Sequence, residues 1–261
     1  PSLLIDVAAA SERIGPRTRA ILAVDLYGQL AEMERLAELA RRHDLLLLED
    51  AAQAHGASRN GAAIGGLAAA AATSFYPGKN LGAYGDAGAV LTNDDDIAQR
   101  VRALRNYGSV AKYQHEELGF NSRLDALQAV VLNSKLPHLD EWNQWRRDAA
   151  RLYDQLLADV AEATLLRTLP GNLPVWHLYV IRVPRRDLVL ERLNAAGIGA
   201  AVHYPTPIHL QGAFRNLGHR AGDFPVSEAA AGEILSLPMY PGLTAAQQEE
   251  VVACLRQALR D

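Results

Sequence analysis

The sequence contains very little cysteine and no long apolar run. Cys254 is the single cysteine in 261 residues, so intrachain disulfides and cysteine-rich zinc sites are excluded, and a reducing cytoplasm is the expected compartment. The longest apolar run, Leu67–Ala72, is far shorter than the about 20 residues of a membrane-spanning helix. The segment Pro1–Ala10 also lacks the basic start and apolar stretch of a signal peptide. We therefore expect no membrane-spanning segment.

Positive charge is not in excess either. The chain has 26 basic and 30 acidic residues, a net charge of −4 and a pI of about 6.1. General nucleic-acid binders show the opposite balance, so we expect no nucleic-acid partner. Only three of the basic residues are lysines: Lys79, Lys112 and Lys135. Because an amine can lose its proton and attack a carbonyl, which a guanidinium cannot do, a retained lysine is a candidate for chemistry.

The first half of the chain alternates between strand and helix patterns, which predicts an α/β fold. Leu45–Leu48 shows no polar alternation, so we expect a strand buried on both faces of a parallel sheet. The other predicted strands are Ile21–Tyr27, Ala71–Tyr76 and Ala87–Leu91, and the predicted helices are Glu32–His43 and Asp94–Asn106.

The pattern changes after a long helical stretch, Ser122–Asp159, which Pro137 is expected to kink or divide. Beyond this stretch we predict a strand at Trp176–Val183 and helices at Asp187–Ala196 and Ala245–Leu259. This predicts a larger domain over residues 1–137 and a smaller α+β domain over residues 138–261.

Two acidic residues end the predicted strand before the turn at Ala51. Ligands of open α/β sheets gather at the carboxyl ends of strands, so Asp50 is a candidate site residue. Alternatively, Asp50 caps a helix beginning at Ala51. Gln53 would lie one helical turn further on, either facing the same pocket or on the surface.

A lysine stands in the turn after the strand that ends near Tyr76. The segment lacks the glycine and hydroxyl positions of a phosphate-binding Walker loop, where Thr73 and Asn80 stand instead. The glycines that follow do not form the dinucleotide-binding fingerprint. Lys79 therefore remains a candidate site residue, near Ser74 in sequence and downstream of Asp50. The alternative interpretation is that Lys79 is a solvated lysine of the loop.

These segments resemble the DegT/StrS family of sugar aminotransferases, which use pyridoxal phosphate (PLP) on the aspartate aminotransferase scaffold of fold type I. The resemblance covers essentially the whole chain. The motifs that carry it are Leu26–Gln29, Glu49–Gly56, Ser74–Gly82, Gly119–Leu124, Val202–Pro205 and Leu235–Met239. It implies a mixed, mostly parallel sheet in the large domain, followed by a smaller α+β domain.

The resemblance implies a role for each of five residues at the cofactor. Lys79 would bind PLP covalently and then carry a proton between substrate and cofactor. Asp50 would pair with the pyridine nitrogen, Gln53 would lie beside the ring hydroxyl, and Ser74 would bind the phosphate. Asn121 would reach the phosphate in the neighbouring subunit, which implies a homodimer with shared active sites.

Three further residues are substrate candidates by the same resemblance. Arg123 would bind an anion, either the carboxylate of the amino donor or a nucleotide diphosphate, and a surface ion pair is the alternative. His203 and Tyr204 would border the sugar, with a structural histidine as the alternative for His203. A zinc site at His203 and His209 lacks an apparent third ligand.

The chain departs from the family pattern at two places. The large domain of the family normally begins earlier, so Pro1–Ile5 resembles a point within the domain, and we expect a preceding part that completes the cofactor pocket. Asp25 stands where many relatives have histidine.

The implied reaction moves an amine from an amino acid, with L-glutamate favoured, to a keto-sugar of a nucleoside-diphosphate sugar. The form of the motif around Lys79 favours amination at C3 of the sugar over amination at C4. The alternatives are a catalytically inactive fragment or regulatory homologue that binds a sugar nucleotide, and a PLP-dependent sugar dehydratase. Dehydratases of the family replace the lysine with histidine, so Lys79 argues against the last of these.

Overall fold

A computed structural model describes residues 2–260 as two compact units. The large unit comprises Leu4–Asn143 and Pro170–Val175. The small unit comprises Gln144–Leu169 and the described residues from Trp176 on, together with residues 2–3. The chain thus leaves the large unit after Asn143 and returns to it for one short segment, whereas the sequence-based boundary was placed at residue 137.

The helices and strands follow one another along both units. They are α1 (Val7–Glu12), β1 (Ala20–Val24), α2 (Met33–Arg42), β2 (Leu46–Asp50), β3 (Ser58–Arg59), β4 (Ala62–Ala63), β5 (Ala70–Ser74), β6 (Gly88–Leu91), α3 (Asp95–Leu104), β7 (Ser109–Ala111), β8 (Gln114–His115), α4 (Ala126–Lys135), α5 (Leu139–Leu156), β9 (Thr164–Leu165), β10 (Asn172–Leu173), β11 (Tyr179–Arg182), α6 (Arg186–Ala195), α7 (Pro225–Glu233), β12 (Ile234–Leu237) and α8 (Ala245–Arg260). Short 3₁₀ turns cover Leu26–Gly28, Leu136–His138, Ile208–Leu210 and Gly212–Leu217.

A four-stranded sheet with the order β1-β2-β5-β6 organises the large unit. Strands β1, β2 and β5 are parallel, and β6 is antiparallel to β5. The predicted α/β fold with a mixed, mostly parallel sheet is therefore confirmed. The 3₁₀ turn at Leu136–His138 separates α4 from α5, so Pro137 divides the long helical stretch as predicted.

Helices α1 and α2 cover one face of this sheet. Ile21 and Leu47 point into a core that includes Leu36 and Leu39 of α2. On the other face, Leu22 is 59% exposed and Leu46 is 57% exposed. The prediction that Leu45–Leu48 is buried on both faces is wrong, because within the described residues helices cover this strand on one face only.

The small unit has its own antiparallel sheet, in the order β12-β11-β9. Its core contains Tyr153, Ile181, Leu193, Leu235 and Leu255, each of them essentially inaccessible. The predicted helix before Gly197 and the C-terminal helix are both present, as α6 and α8. Across residues 2–260, no helix combines the length and the apolar character that crossing a membrane requires.

Candidate active site

Asp50 lies at the carboxyl end of the central strand β2. Its Oδ1 atom accepts a hydrogen bond from the backbone N–H of Ala52 at 3.0 Å. The N–H of Ala51 donates to the carbonyl of Ala72 at 2.8 Å, so Ala51 still belongs to the edge of the sheet. Only turns follow, and the alternative interpretation of Asp50 as a helix cap is wrong because no helix begins at Ala51.

Gln53 is buried and is held by the loop that follows the neighbouring strand β1. Its Oε1 atom accepts a hydrogen bond from the N–H of Tyr27 at 2.6 Å. Tyr27 has a φ of 61°, a left-handed conformation that aims its N–H at the amide. Gln53 is thus neither on a helix nor on the surface, and its contact with Tyr27 joins the loops that follow β1 and β2.

Ser74 and Lys79 lie at the two ends of a tight turn after β5. The Ser74 hydroxyl accepts a hydrogen bond from the N–H of Tyr76 at 3.2 Å, and the N–H of Lys79 donates to the Tyr76 carbonyl at 2.9 Å. The chain then doubles back so closely that a Cβ atom at Gly82 would lie 2.3 Å from the carbonyl oxygen of Pro77. Glycine at residue 82 therefore fixes the path of the loop that carries Lys79.

The side chains of Lys79, Asp50 and His55 form one electrostatic cluster. Burial lowers the pKa of the half-buried Lys79 amine, and the Asp50 carboxylate acts in the opposite direction. Burial, together with the charge of Lys79, lowers the pKa of His55 to about 4. At neutral pH the cluster therefore combines a carboxylate, an amine that loses its proton more readily than usual, and an uncharged imidazole.

His55 is a residue that the sequence analysis did not single out. Its Nε2 atom lies 2.8 Å from the Thr73 hydroxyl, and its ring stacks on Phe75 with the centroids 5.4 Å apart. The motif Glu49–Gly56 contains this histidine, so a histidine five residues after the end of β2 was the available signal. Its burial could not be read from that spacing.

Two asparagines connect the lysine turn to the turn after β2. Asn80 donates through Nδ2 to Asn143 Oδ1 and to the Val175 carbonyl, both at 2.9 Å. Asn143 donates in turn to the carbonyl of His55 at 2.8 Å. Nothing in the sequence indicated this network, because its members are far apart along the chain and each asparagine alone is unremarkable as a surface residue.

Asn121 and Arg123 lie together on an exposed part of the large unit. Arg123 donates through Nε to Asn121 Oδ1 at 3.1 Å, and its guanidinium lies 5.2 Å from the centre of the Tyr107 ring. Within the part of the chain that the structure describes, Arg123 thus contacts Asn121 and Tyr107, and neither Asn121 nor Arg123 is bonded to Asp50 or Lys79.

His203 and Tyr204 belong to the small unit. The Nδ1 atom of His203 lies 2.8 Å from the Ser236 hydroxyl, and Tyr204 is exposed. His209 is bound to Glu228, with 3.0 Å between Nε2 and Oε1. Between residues 2 and 260, no three histidine, cysteine or acidic side chains assemble into a candidate metal site.

The residues around Lys79 fit pyridoxal phosphate, the cofactor that the resemblance implies. An amine attacks an aldehyde only when it is neutral, and burial favours the neutral form of Lys79. The Asp50 carboxylate uses Oδ1 for Ala52 and can accept a pyridine N–H at its other oxygen. Because the Ser74 hydroxyl accepts from Tyr76, its own proton is available for a phosphate oxygen.

Comparisons with known proteins identify the family of the chain. The model of the DegT/DnrJ/EryC1/StrS aminotransferase family matches residues 1–256. The erythromycin biosynthesis sensory transduction protein EryC1 of Saccharopolyspora erythraea is 50% identical over 252 residues, which are 97% of this chain and 69% of the relative. The dTDP-3-amino-3,4,6-trideoxy-alpha-D-glucose transaminase of Streptomyces venezuelae is 48% identical over 97% of this chain and 67% of its own length.

A solved structure shows the same backbone. The crystal structure of S. venezuelae DesV in complex with a ketimine intermediate superposes with a TM-score of 0.95 at 47% sequence identity, over 99% of this chain and 70% of that one. The family match, the identity to curated relatives and the fold all lead to the same assignment. The chain belongs to the DegT/DnrJ/EryC1/StrS family of aminotransferases, which depend on pyridoxal phosphate.

Proposed function

We propose that the chain moves an amino group from an amino acid to a keto-sugar linked to a nucleoside diphosphate. The observation that carries this proposal is the cluster of Lys79, Asp50 and His55 at the ends of two parallel strands. It combines a reactive amine with a carboxylate at the edge of the sheet where ligands of α/β folds bind. The names of the similar proteins supply the substrate class.

Each residue around the cofactor site has its own proposed role. When bound, the cofactor supplies a group that accepts the amine and withdraws electrons from the reacting carbon. Lys79 Nζ takes and returns the proton at that carbon, which requires the neutral amine that burial favours. Asp50 would hold a proton on the ring nitrogen by its charge, and Gln53, fixed by the N–H of Tyr27, would lie beside the ring hydroxyl.

We assign the amine to C3 of the sugar and favour L-glutamate as donor. The relative from S. venezuelae is named for a 3-amino sugar, and this chain has the sequence Tyr-Pro-Gly-Lys-Asn-Leu-Gly around Lys79. The guanidinium of Arg123 suits the donor carboxylate or the diphosphate, each of which it can bind through two parallel hydrogen bonds. His203 and Tyr204 are proposed to border the sugar.

A homodimer is part of the same proposal. Asn121 and Arg123 are exposed and contact each other, so they are available to a second copy of the chain. Large apolar side chains near them in sequence are also exposed, as expected of a surface that a partner covers. These are Leu118, Phe120, Leu127 and Val130.

A regulatory protein that binds a sugar nucleotide without turnover is the second candidate. The name of the S. erythraea relative, a sensory transduction protein, is the observation that favours it. A regulator of this kind does not require a reactive lysine, whereas this chain retains Lys79 with a pKa lowered by burial. The aminotransferase is therefore the better supported function.

Borohydride trapping tests the reactive amine directly. The chain is incubated with PLP, reduced, digested and examined by mass spectrometry. We expect a pyridoxyl group on Lys79, while Lys112 and Lys135, the other two lysines, serve as internal controls. Lys79→Arg keeps the charge and should remove the label. Labelling of all three lysines alike would contradict the assignment.

Turnover separates the two candidate functions. With L-glutamate and either a 3-keto or a 4-keto nucleotide sugar, an aminotransferase releases 2-oxoglutarate, whereas a regulator binds the sugar nucleotide and releases none. We expect release with the 3-keto substrate, and its loss in Lys79→Arg. A greater rate with the 4-keto substrate would overturn the assignment to C3 alone.

A further inference from the structure

Two carboxyl groups are buried together at the ends of β1 and β2. Asp25 directly follows β1 and is 0% exposed, and Glu49, the next-to-last residue of β2, is 2% exposed. The two strands are parallel neighbours, with Ala23 opposite Glu49 and Val24 opposite Asp50. Burial of two ionised carboxylates side by side is strongly unfavourable, so this arrangement needs a neutralising group.

Each carboxyl has one oxygen bonded to the backbone and one that is not. Asp25 Oδ1 accepts from the N–H of Ala31 at 3.0 Å, and Glu49 Oε2 accepts from the N–H of Gly65 at 2.7 Å. Asp25 Oδ2 and Glu49 Oε1 are buried and find no N–H or O–H donor among the described residues. The two side chains lie within hydrogen-bonding reach of each other. Two carboxyl oxygens can bond only if one of them carries a proton.

The charged groups around the pair do not neutralise its negative charge in place of that proton. The Asp50 carboxylate adds further negative charge near Asp25. Arg59 and Glu34 line a small cavity with Glu49, but the Arg59 guanidinium is bonded to Glu34 Oε2 at 2.8 Å and to the Pro170 carbonyl at 2.9 Å. Burial, with Glu49 adding to it, raises the pKa of Asp25 well above the ordinary range of a carboxyl group.

We propose that Asp25 and Glu49 share one proton at neutral pH, and that this pair positions the loop that holds Gln53. Asp25 begins the loop and binds its far end through the N–H of Ala31. Between these two points, Tyr27 donates its N–H to Gln53 Oε1 at 2.6 Å. Glu49 keeps Asp25 protonated and oriented, so the pair acts on the site through Tyr27 and Gln53 and is a positioning pair.

Infrared spectroscopy of the chain without cofactor tests the shared proton. A protonated carboxyl has a carbonyl stretch well separated from that of an ionised carboxylate. We expect this band at pH 7 in the unaltered protein, and its loss in both Asp25→Asn and Glu49→Gln, where an amide N–H replaces the shared proton. Glu12→Gln, an exposed carboxyl, is the control that leaves the band unchanged. Absence of the band from the unaltered protein at pH 7, or its persistence in Asp25→Asn, would overturn the proposal.

Hydrogen exchange of single backbone amides tests the positioning. Asp25→Asn can still accept from Ala31 and donate to Glu49, so we expect the Tyr27 and Ala31 amides to stay protected. Asp25→Leu can do neither, and we expect both amides to lose at least tenfold in protection. Gln53→Ala should expose Tyr27 while leaving Ala31 protected. Equal protection in the Asn and Leu variants would contradict a positioning role.

The stability of the same variants against pH gives an independent readout. Because folding raises the pKa of Asp25, the folded chain holds a proton that the unfolded chain releases above about pH 4, and stability should fall as the pH rises. We expect the urea midpoint to fall from pH 6.5 to pH 8.5 in the unaltered protein, a range in which His55 stays neutral, and to fall less in Asp25→Asn. An identical fall in both would contradict the shared proton. These tests do not use the cofactor, so their failure is distinct from failure of the proposed function.

Discussion

The imidazole of His55 donates a hydrogen bond to the hydroxyl of Thr73. The two atoms, Nε2 and Oγ1, lie 2.8 Å apart, and the hydroxyl donates its own proton to the Ala51 carbonyl at 3.1 Å. The hydroxyl must therefore accept from the imidazole, which places the proton of His55 on Nε2. Nδ1 has no partner among the described residues, and because the pKa of His55 is lowered to about 4, Nδ1 carries no proton at neutral pH. His55 is thus a neutral residue beside Lys79 and does not compete with it for Asp50.

His55 should make the protein sensitive to mild acid. Folding lowers its pKa from 6.5 to about 4, so the unfolded chain binds a proton in this range and the folded chain does not. Stability contributed by the neutral imidazole is complete above pH 6.5 and is lost as the pH falls toward 4, by about 3 kcal/mol. We expect His55→Gln, which does not titrate, to show a shallower loss of unfolding free energy between pH 6.5 and 4.5 in urea titrations.

The control for this measurement is His43→Gln, because His43 is an exposed histidine of the same unit. The unfolding free energy of His43→Gln should depend on pH in the same way as that of the unaltered chain. If His55→Gln also retained the full acid sensitivity, the imidazole would have to be charged in the folded state.

Asp50→Asn should impair the chemistry far more than the fold. An ion pair at about 4 Å and an effective dielectric constant of about 20 is worth roughly 4 kcal/mol, and half of that retained in the transition state is more than tenfold in rate. The new amide can still accept from the N–H of Ala52, so the turn is preserved. We expect kcat to fall at least tenfold, with the unfolding free energy changed by less than about 1 kcal/mol.

Asp86→Asn is the matched control, since Asp86 is an exposed aspartate in the glycine-rich turn after Lys79. We expect its kcat to be unchanged. A loss of stability in Asp50→Asn as large as its loss of rate would mean that Asp50 serves mainly the fold.

Gly82→Ala should displace the lysine loop. The added Cβ would clash with the Pro77 carbonyl oxygen, and the three nearest atoms all belong to the Pro77 backbone, which cannot move aside as a flexible side chain can. Overpacking of this kind costs typically 1–3 kcal/mol. We expect the yield of pyridoxyl-Lys79 in the trapping experiment to fall at least fivefold. At Gly78 the nearest atom to an added Cβ is a ring carbon of Tyr76 at 3.7 Å, so Gly78→Ala should label like the unaltered chain.

Local features of the fold could be predicted from the sequence, whereas contacts between distant residues could not. The α/β alternation was readable because strand and helix periods are local properties, and Lys79 stood out because the chain has only three lysines. The conformation after Asp50 was not readable: its side chain suits a helix cap and a turn equally well, and the sheet hydrogen bond of Ala51 decided between them. Contacts such as that of Asp25 with Glu49 or Asn80 with Asn143 join distant residues, and a single sequence gives no register for them.

Mixed dimers should recover activity from two inactive chains. If Asn121 serves the partner's site, Asn121→Ala damages the site whose Lys79 belongs to the other copy, whereas Lys79→Ala damages its own. A heterodimer of the two variants then places both lesions in one site and leaves the other intact, so each mixed dimer has one complete site. We expect an equimolar mixture, unfolded and refolded together, to regain about a quarter of the unaltered activity, since half the dimers are mixed and each has one working site.

A mixture of Lys79→Ala with Asp50→Asn is the control, because both lesions lie in the site of their own copy and exchange of subunits should restore nothing. If the first mixture gave no more activity than the second, Asn121 would act within its own chain and the shared site would be wrong.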